Sequence, residues 1–157
     1  MEEEKLVRAR EVFDIMCQAL DAKEIRYSKD EEGLAIMAKF TGEDLPMDLI
    51  VRIKPELDLI LLTSQIPYKI PADKRVEAAA AVGIVNSGIL DGCFDFDLTS
   101  GSIYFRMTAS YLETEISEDL FAYMLYVSAG TIDEFNDKFM KLGMGLIELK
   151  DFLSSDD

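Results

Sequence analysis

An α+β domain built on a twisted antiparallel sheet is predicted by three observations. Residues 3–23 repeat apolar side chains every three or four positions, the spacing of one helix face. From Ile25 to Gln65 the period falls to two, the spacing of strands. Beyond a glycine turn at Gly101, Ser117 then opens a further, long stretch of helical periodicity. Strands grouped in runs, with helices around them instead of between each pair, specify α+β and not a parallel α/β sheet.

In the first helix Leu6, Ala9, Phe13, Met16 and Leu20 form the inward stripe, with Val12 and Ala19 beside it. Glu2, Glu3 and Glu4 lie where carboxylates complement the positive end of the helix dipole, so this acidic run needs no ligand. IRYSK, the turn DEEG and LAIMAKFT follow, placing Leu34, Ile36, Ala38 and Phe40 on one face and Met37, Lys39 and Thr41 on the other. MDLIVRIK and DLILLTSQ, joined at Pro55-Glu56, extend a meander whose last strand is apolar on both faces.

Pro67 and Pro71 bracket a break, after which ADKRVEAAAAVGIVNSG predicts a second helix, with Pro71 in its first turn and Gly88 at its end. Ala78–Ala81 and Gly83 allow close backbone approach. Packing on the sheet is the default, and a helix-to-helix dimer seam the alternative. Ile116 and Phe121 flank the Ser117 cap at hydrophobic-staple spacing, and Leu120, Met124, Leu125 and Val127 continue inward. Thr131 and Glu134 repeat a capping-box pattern just after Gly130, so 117–142 is either one kinked helix or two. LIELKDFL predicts a short last helix. One domain spans 1–153, and 154–157 is a solvated acidic tail.

CFDFDLTSGSIYFRM, residues 93–107, offers an acidic pair, Asp95 and Asp97, for a metal or for a hairpin. A bulged three-residue turn would set Phe94 and Phe96 with Tyr104 and Arg106, whereas a four-residue loop from Leu98 to Gly101 sets them with Ile103 and Phe105. Apolar matching selects the second. Asp95 then faces Tyr104 with Arg106 as a diagonal ion-pair partner, and Asp97 opens the turn by accepting backbone N–H groups. Hard cations want six or more oxygens, which this stretch does not supply.

Sixteen basic and 31 acidic residues leave a formal charge of −15, which repels phosphate backbones and anionic lipid, so neither nucleic acid nor membrane is expected as a partner. The chain contains no histidine, which removes Ser-His-Asp and Cys-His nucleophile chemistry. Cys17 and Cys93 lack CxxC spacing and sit in apolar contexts that favour the inert thiol. GLAIM and GILDG lack phosphate-loop spacing. The expected protein is not an enzyme, carries no cofactor and resides in the cytoplasm, since MEEEKLVRAR has no basic start followed by an apolar core.

VGIVNSGILDGCFDFDLTSGSIYFR resembles the YbjN family of small bacterial proteins in the order Asn86, Gly92, Phe94, Asp97, Gly101, Ile103 and Arg106, and IPYKIPADKR resembles that family's proline-flanked approach to its second helix. The resemblance implies a type III secretion chaperone-like fold, a twisted antiparallel sheet with helices mainly on one face. It also implies a loosely described regulatory or chaperone-like role, with no catalytic residues to carry over.

If Leu34, Ile36, Phe40, Leu49, Val51, Ile53, Phe94, Phe96, Ile103 and Phe105 face the helices, the opposite side carries Met37, Lys39, Ile50, Arg52, Lys54, Ile60, Leu62, Tyr104 and Arg106. That face is apolar at its centre and locally basic, the character of an interaction site for an unknown protein client or a second copy in a homodimer. Two alternatives stand beside it. The 143–153 segment or a terminal helix covers the face, or Lys39, Arg52 and Arg106 make it a small-molecule or anion sensor. Because the two aspartates are assigned to an ion pair and a turn, EDTA is expected to leave the melting temperature unchanged; a drop of several degrees reversed by calcium or magnesium would contradict that assignment.

Overall fold

Strands Tyr27–Asp30 (β1), Ala35–Thr41 (β2), Pro46–Lys54 (β3), Leu59–Lys69 (β4), Cys93–Phe96 (β5) and Ser102–Ser110 (β6) pair antiparallel in one sheet ordered β1-β2-β3-β4-β6-β5. Helices Glu3–Ala22 (α1), Arg75–Gly88 (α2) and Glu118–Gly143 (α3) complete the α+β architecture in a computed structural model that describes residues 2–153. The tail expected at 154–157 lies outside the described residues.

Cross-strand partners share a sheet face, so the register sorts every side chain. Ile36 with Val51 and Leu62, Ile53 with Ile60, and Phe94 with Phe105 all point to the helices. Each of these is buried. The helices meet them from that side. Phe139 and Phe135 of α3 lie edge-on to Phe94 at 5.1 and 6.1 Å, and Tyr126 lies edge-on to the half-buried Phe40 at 6.1 Å. From α1, Ala9, Phe13, Met16 and Leu20 are buried in the same core, whereas Leu6 at the start of the expected stripe is exposed.

Local chemistry holds the connections. Asp58 adopts a left-handed conformation (φ 48) that closes the Pro55–Leu57 turn, and its carbonyl accepts from Tyr111 N–H at 2.8 Å. Lys5 of α1 donates to Asp58 at 3.3 Å, and Arg8 reaches the carbonyls of Tyr111 and Thr114. At the far end Arg75 donates to the carbonyls of Ile70, Thr99 and Ser100 at 3.0, 2.7 and 3.1 Å, fastening the β5–β6 loop to the start of α2. Gly101 is required there. Its φ is +79, and a Cβ would lie 2.2 Å from the Ile70 carbonyl oxygen.

Some expectations are revised, and one left open is decided. Strand β4 does not stop at Pro67 but runs to Lys69, and the prolyl residue, lacking an N–H for the ladder, sits where the register against β6 shifts between Gln65 and Lys69. Residues 118–143 are a single helix: the Ser117 hydroxyl accepts from Leu120 N–H, while Thr131 donates its hydroxyl to the Val127 carbonyl one turn back and caps nothing. Leu120, in the first turn, points outward. The short last helix is a 3-10 segment, Leu149–Phe152, whose Phe152 stacks on Phe139 at 5.8 Å. Of the α2 alanines, Ala78 and Ala81 pack within the fold, fully buried, whereas Ala80 is exposed.

The β5–β6 loop has the four-residue form. Asp97 N–H donates to the Ser102 carbonyl, Gly101 N–H donates to the Asp97 carbonyl, and Phe96 pairs with Ile103. Phe94 is fully packed but Phe96, nearer the loop, is only half-buried. Truncation should therefore be graded along the strand. Phe94→Ala is expected to cost about 3–5 kcal/mol and Phe96→Ala clearly less by urea denaturation; equal costs would mean that Phe96 is held in the core in solution.

Candidate protein-interaction face

The second sheet face is assembled by the same register. One row runs Ser28, Met37, Ile50, Thr63, Arg106, Cys93, and the next runs Asp30, Ala35, Arg52, Leu61, Thr108. Lys54 with Leu59, and Tyr104 with Gln65 and Asp95, lie above and below. Met37, Ile50, Leu59, Leu61, Thr63 and Tyr104 are half-buried, whereas Lys39, Arg52 and Arg106 are exposed. The hollows beside Met37 and Ile50 are lined by strand residues alone, so the helices and the 143–153 segment leave that part of the face open, whereas a hollow beside Cys93 and Arg106 is bordered by Leu120 and Tyr123 of α3.

Seven of the nine residues expected on this face are there: Met37, Lys39, Ile50, Arg52, Lys54, Tyr104 and Arg106. Ile60 and Leu62 are not. Both are fully buried beneath the helices, because Ile60 pairs with Ile53 and Leu62 with Val51, and partners across a ladder share a face. Leu59, Leu61 and Thr63 take their places. DLILLTSQ is apolar in both phases and so hides its orientation. The signal that could have set it was the even number of residues, Pro55 to Asp58, between Lys54 and Leu59, which keeps Ile53 and Ile60 on one side.

Two of the cations on this face are neutralised within it. Arg106 donates from Nε and Nη2 to the Asp95 carboxylate at 2.7 and 3.1 Å, and the Asp95 hydrogen bond holds the guanidinium pKa above its ordinary value. Lys39 Nζ pairs with Asp48 at 3.2 Å. Arg52 and Lys54 have no carboxylate within ion-pair distance among the described residues. Burial pushes the Cys93 thiol up, as it does that of Cys17, which keeps both sulfurs protonated at neutral pH. Among the described residues no three His, Cys, Asp or Glu side chains gather in a metal-binding group.

An open antiparallel sheet with its helices on one side and a partly apolar surface on the other defines a small α+β domain. The chain belongs to the YbjN family: the family model described as "Putative bacterial sensory transduction regulator" matches residues 13–141. Among solved structures it is similar to the crystal structure of YbjN, "a putative transcription regulator from E. coli", with a TM-score of 0.58 at 14% identity, covering 80% of this chain and 92% of that one. At that identity the likeness speaks for the fold alone. No curated protein matches the sequence. No helix among the described residues is long and apolar enough to cross a membrane.

Asp97 serves the loop. Its carboxylate accepts from Thr99 N–H and the Ser100 hydroxyl, both at 2.9 Å, and these bonds hold its pKa below the ordinary value of 3.8. A carboxyl depressed on folding stabilises the native state above its unfolded pKa and loses that contribution as pH falls through the folded one. The stability difference between wild type and Asp97→Asn is thus expected to be constant above about pH 5 and to shrink towards lower pH. A difference independent of pH down to acid unfolding would mean that the carboxylate charge contributes nothing.

Proposed function

We propose that this YbjN-family protein is a non-enzymatic regulatory module of the bacterial cytoplasm that acts by binding another protein across its open sheet face. The observation that carries this reading is the uncovered patch of Met37, Ile50, Leu59, Leu61 and Tyr104, an apolar centre on a sheet whose other side already holds the whole core. Apolar side chains on the solvent side of a strand as central as β4 gain nothing from folding alone. They gain from a partner that removes them from water.

The charge pattern supports a protein as that partner. Cations and carboxylates alternate around the apolar centre in a chain of net charge −15, a rim suited to register and specificity more than to bulk attraction. The anion-sensor reading has less support, since Lys39 and Arg106 are already engaged by Asp48 and Asp95, and of that trio only Arg52 has no carboxylate partner among the described residues. The absence of histidine from the sequence and the raised thiol pKa values leave little with which to build an enzyme.

Leu61→Asp is the direct test. On an open face it is expected to leave the circular dichroism spectrum and melting temperature near wild type while removing specific partners from affinity capture in the native bacterium. Leu62→Asp, one residue along, buries an unpaired carboxylate and should unfold the domain. A folded Leu61→Asp variant that captures the same partners as wild type would exclude this face as the binding surface.

A further inference from the structure

The two edges of the sheet are treated differently. At the β5 edge, Asn86 of α2 donates from Nδ2 to the Phe94 carbonyl at 2.9 Å and accepts the Phe94 N–H on Oδ1 at 2.8 Å, so one side-chain amide occupies the place where a further strand would pair. At the β1 edge nothing among the described residues plays that part. Lys39 N–H donates to the Arg26 carbonyl at 3.1 Å, which sets the phase of the ladder: Arg26, Ser28 and Asp30 turn their main chain towards β2, and Tyr27 and Lys29 turn theirs outward. Those outward N–H and C=O groups have no hydrogen-bond partner among the described residues. A hollow of about 500 Å³ lined by Ile25, Tyr27, Met37 and Lys39 opens beside the same edge.

We propose that this edge pairs with β1 of a second copy, in an antiparallel register centred on Ser28. The residues of the strand are complementary to themselves in that register. Tyr27 stands opposite Lys29 of the second copy, and each such pair exchanges two main-chain hydrogen bonds through the groups that are free in the monomer. On the open side of the sheet Arg26 stands opposite Asp30 of the second copy, and Asp30 opposite its Arg26. Neither side chain has an ion-pair partner among the described residues, although Asp30 Oδ1 accepts from Gly33 N–H at 2.9 Å. Any other register breaks one of these matches, because a slip of one residue offers main-chain groups already used by β2 and a slip of two separates the charges.

The local electrostatics agree. RYSKDE, residues 26–31, carries two basic and two acidic side chains and is neutral within a chain of −15, so the seam is a place where two copies meet without the repulsion that their remaining surfaces impose. Lysine on an edge strand ordinarily discourages pairing. Here Lys29 is paired with Glu31 at 2.8 Å, which leaves the strand without a bare charge at that position. The pairing makes one continuous sheet from both copies, with both open faces on the same side. It is independent of the partner proposed for that face, since it uses the edge and not the surface.

Sedimentation velocity over a concentration series, with amide hydrogen exchange on the same samples, tests the proposal. Wild type is expected to dimerise, with the Tyr27 and Lys29 amides protected at high concentration and exchanging freely at low concentration. Arg26→Asp sets like charges opposite each other at two symmetry-related places and should weaken association by about tenfold or more. Arg26→Asp with Asp30→Arg restores opposite charges and should restore the dimer. Lys29→Pro removes an outward N–H that β2 does not use and should give a folded monomer, a result that does not depend on the Asp30 turn. A wild type that stays monomeric, a dimer indifferent to Arg26→Asp or Lys29→Pro, or a dimer whose Tyr27 and Lys29 amides exchange freely would each overturn it.

Discussion

The ladder between β4 and β6 is the constraint on which the rest of the structure depends. It joins two local pieces, the β1–β4 meander and the β5–β6 hairpin, across the whole of α2, and it aligns Leu59 with Ser110, Leu62 with Met107 and Ser64 with Phe105. Each of these pieces can form from near neighbours in sequence. Neither buries enough apolar surface by itself to be stable. Once the ladder is in register, the inner face becomes continuous from Ile36 to Phe94, wide enough for α1 and α3 to lie on it. A slip of one residue would put Phe105 and Met107 on the face opposite Ile60 and Leu62, which is why the register is strongly specified.

Charge is managed by local pairing. A chain with fifteen more formal negative than positive charges would repel itself as it compacts, yet several carboxylates are tied into hydrogen-bonding roles: Asp97 in the loop, Asp58 with Lys5, Asp95 with Arg106, and Asp133 accepting from the Glu43 N–H at 2.8 Å. Arg8 and Arg75 work differently. Their guanidinium groups donate to main-chain carbonyls of loops, so these two cations organise the turns at opposite ends of the sheet. An acidic surface and an ordered frame are compatible because the interactions that matter are short and local.

Local signals made much of this legible in the sequence. The apolar stripe of α1, the Ser117 cap, the alternation of β2 and β3, the four-residue loop and the Asp95–Arg106 pair all rest on contacts within a few residues or across one turn, where steric and hydrogen-bonding rules act with little competition. The family followed from the same short stretches. Gly101 illustrates the limit. Its need for a positive φ was readable from the loop, but the closeness of the Ile70 carbonyl, which forbids a side chain there, comes from a segment thirty-one positions away.

What only the tertiary structure decided were matters in which two local answers were equally good. DLILLTSQ is apolar in both phases, so burial of Ile60 and Leu62, and not Leu59 and Leu61, follows from pairing with β3 and β6. Thr131 resembles a cap, but packing of Ile132, Asn136 and Phe139 on one side keeps the helix whole through Gly130. Pro67 reads as a break, and a bulge admits it. The sequence by itself determined the class of fold, the family and which residues are apolar; which of two apolar faces meets the helices was decided by long-range strand pairing, because the energy that separates them is gained only when distant strands bury their partners together.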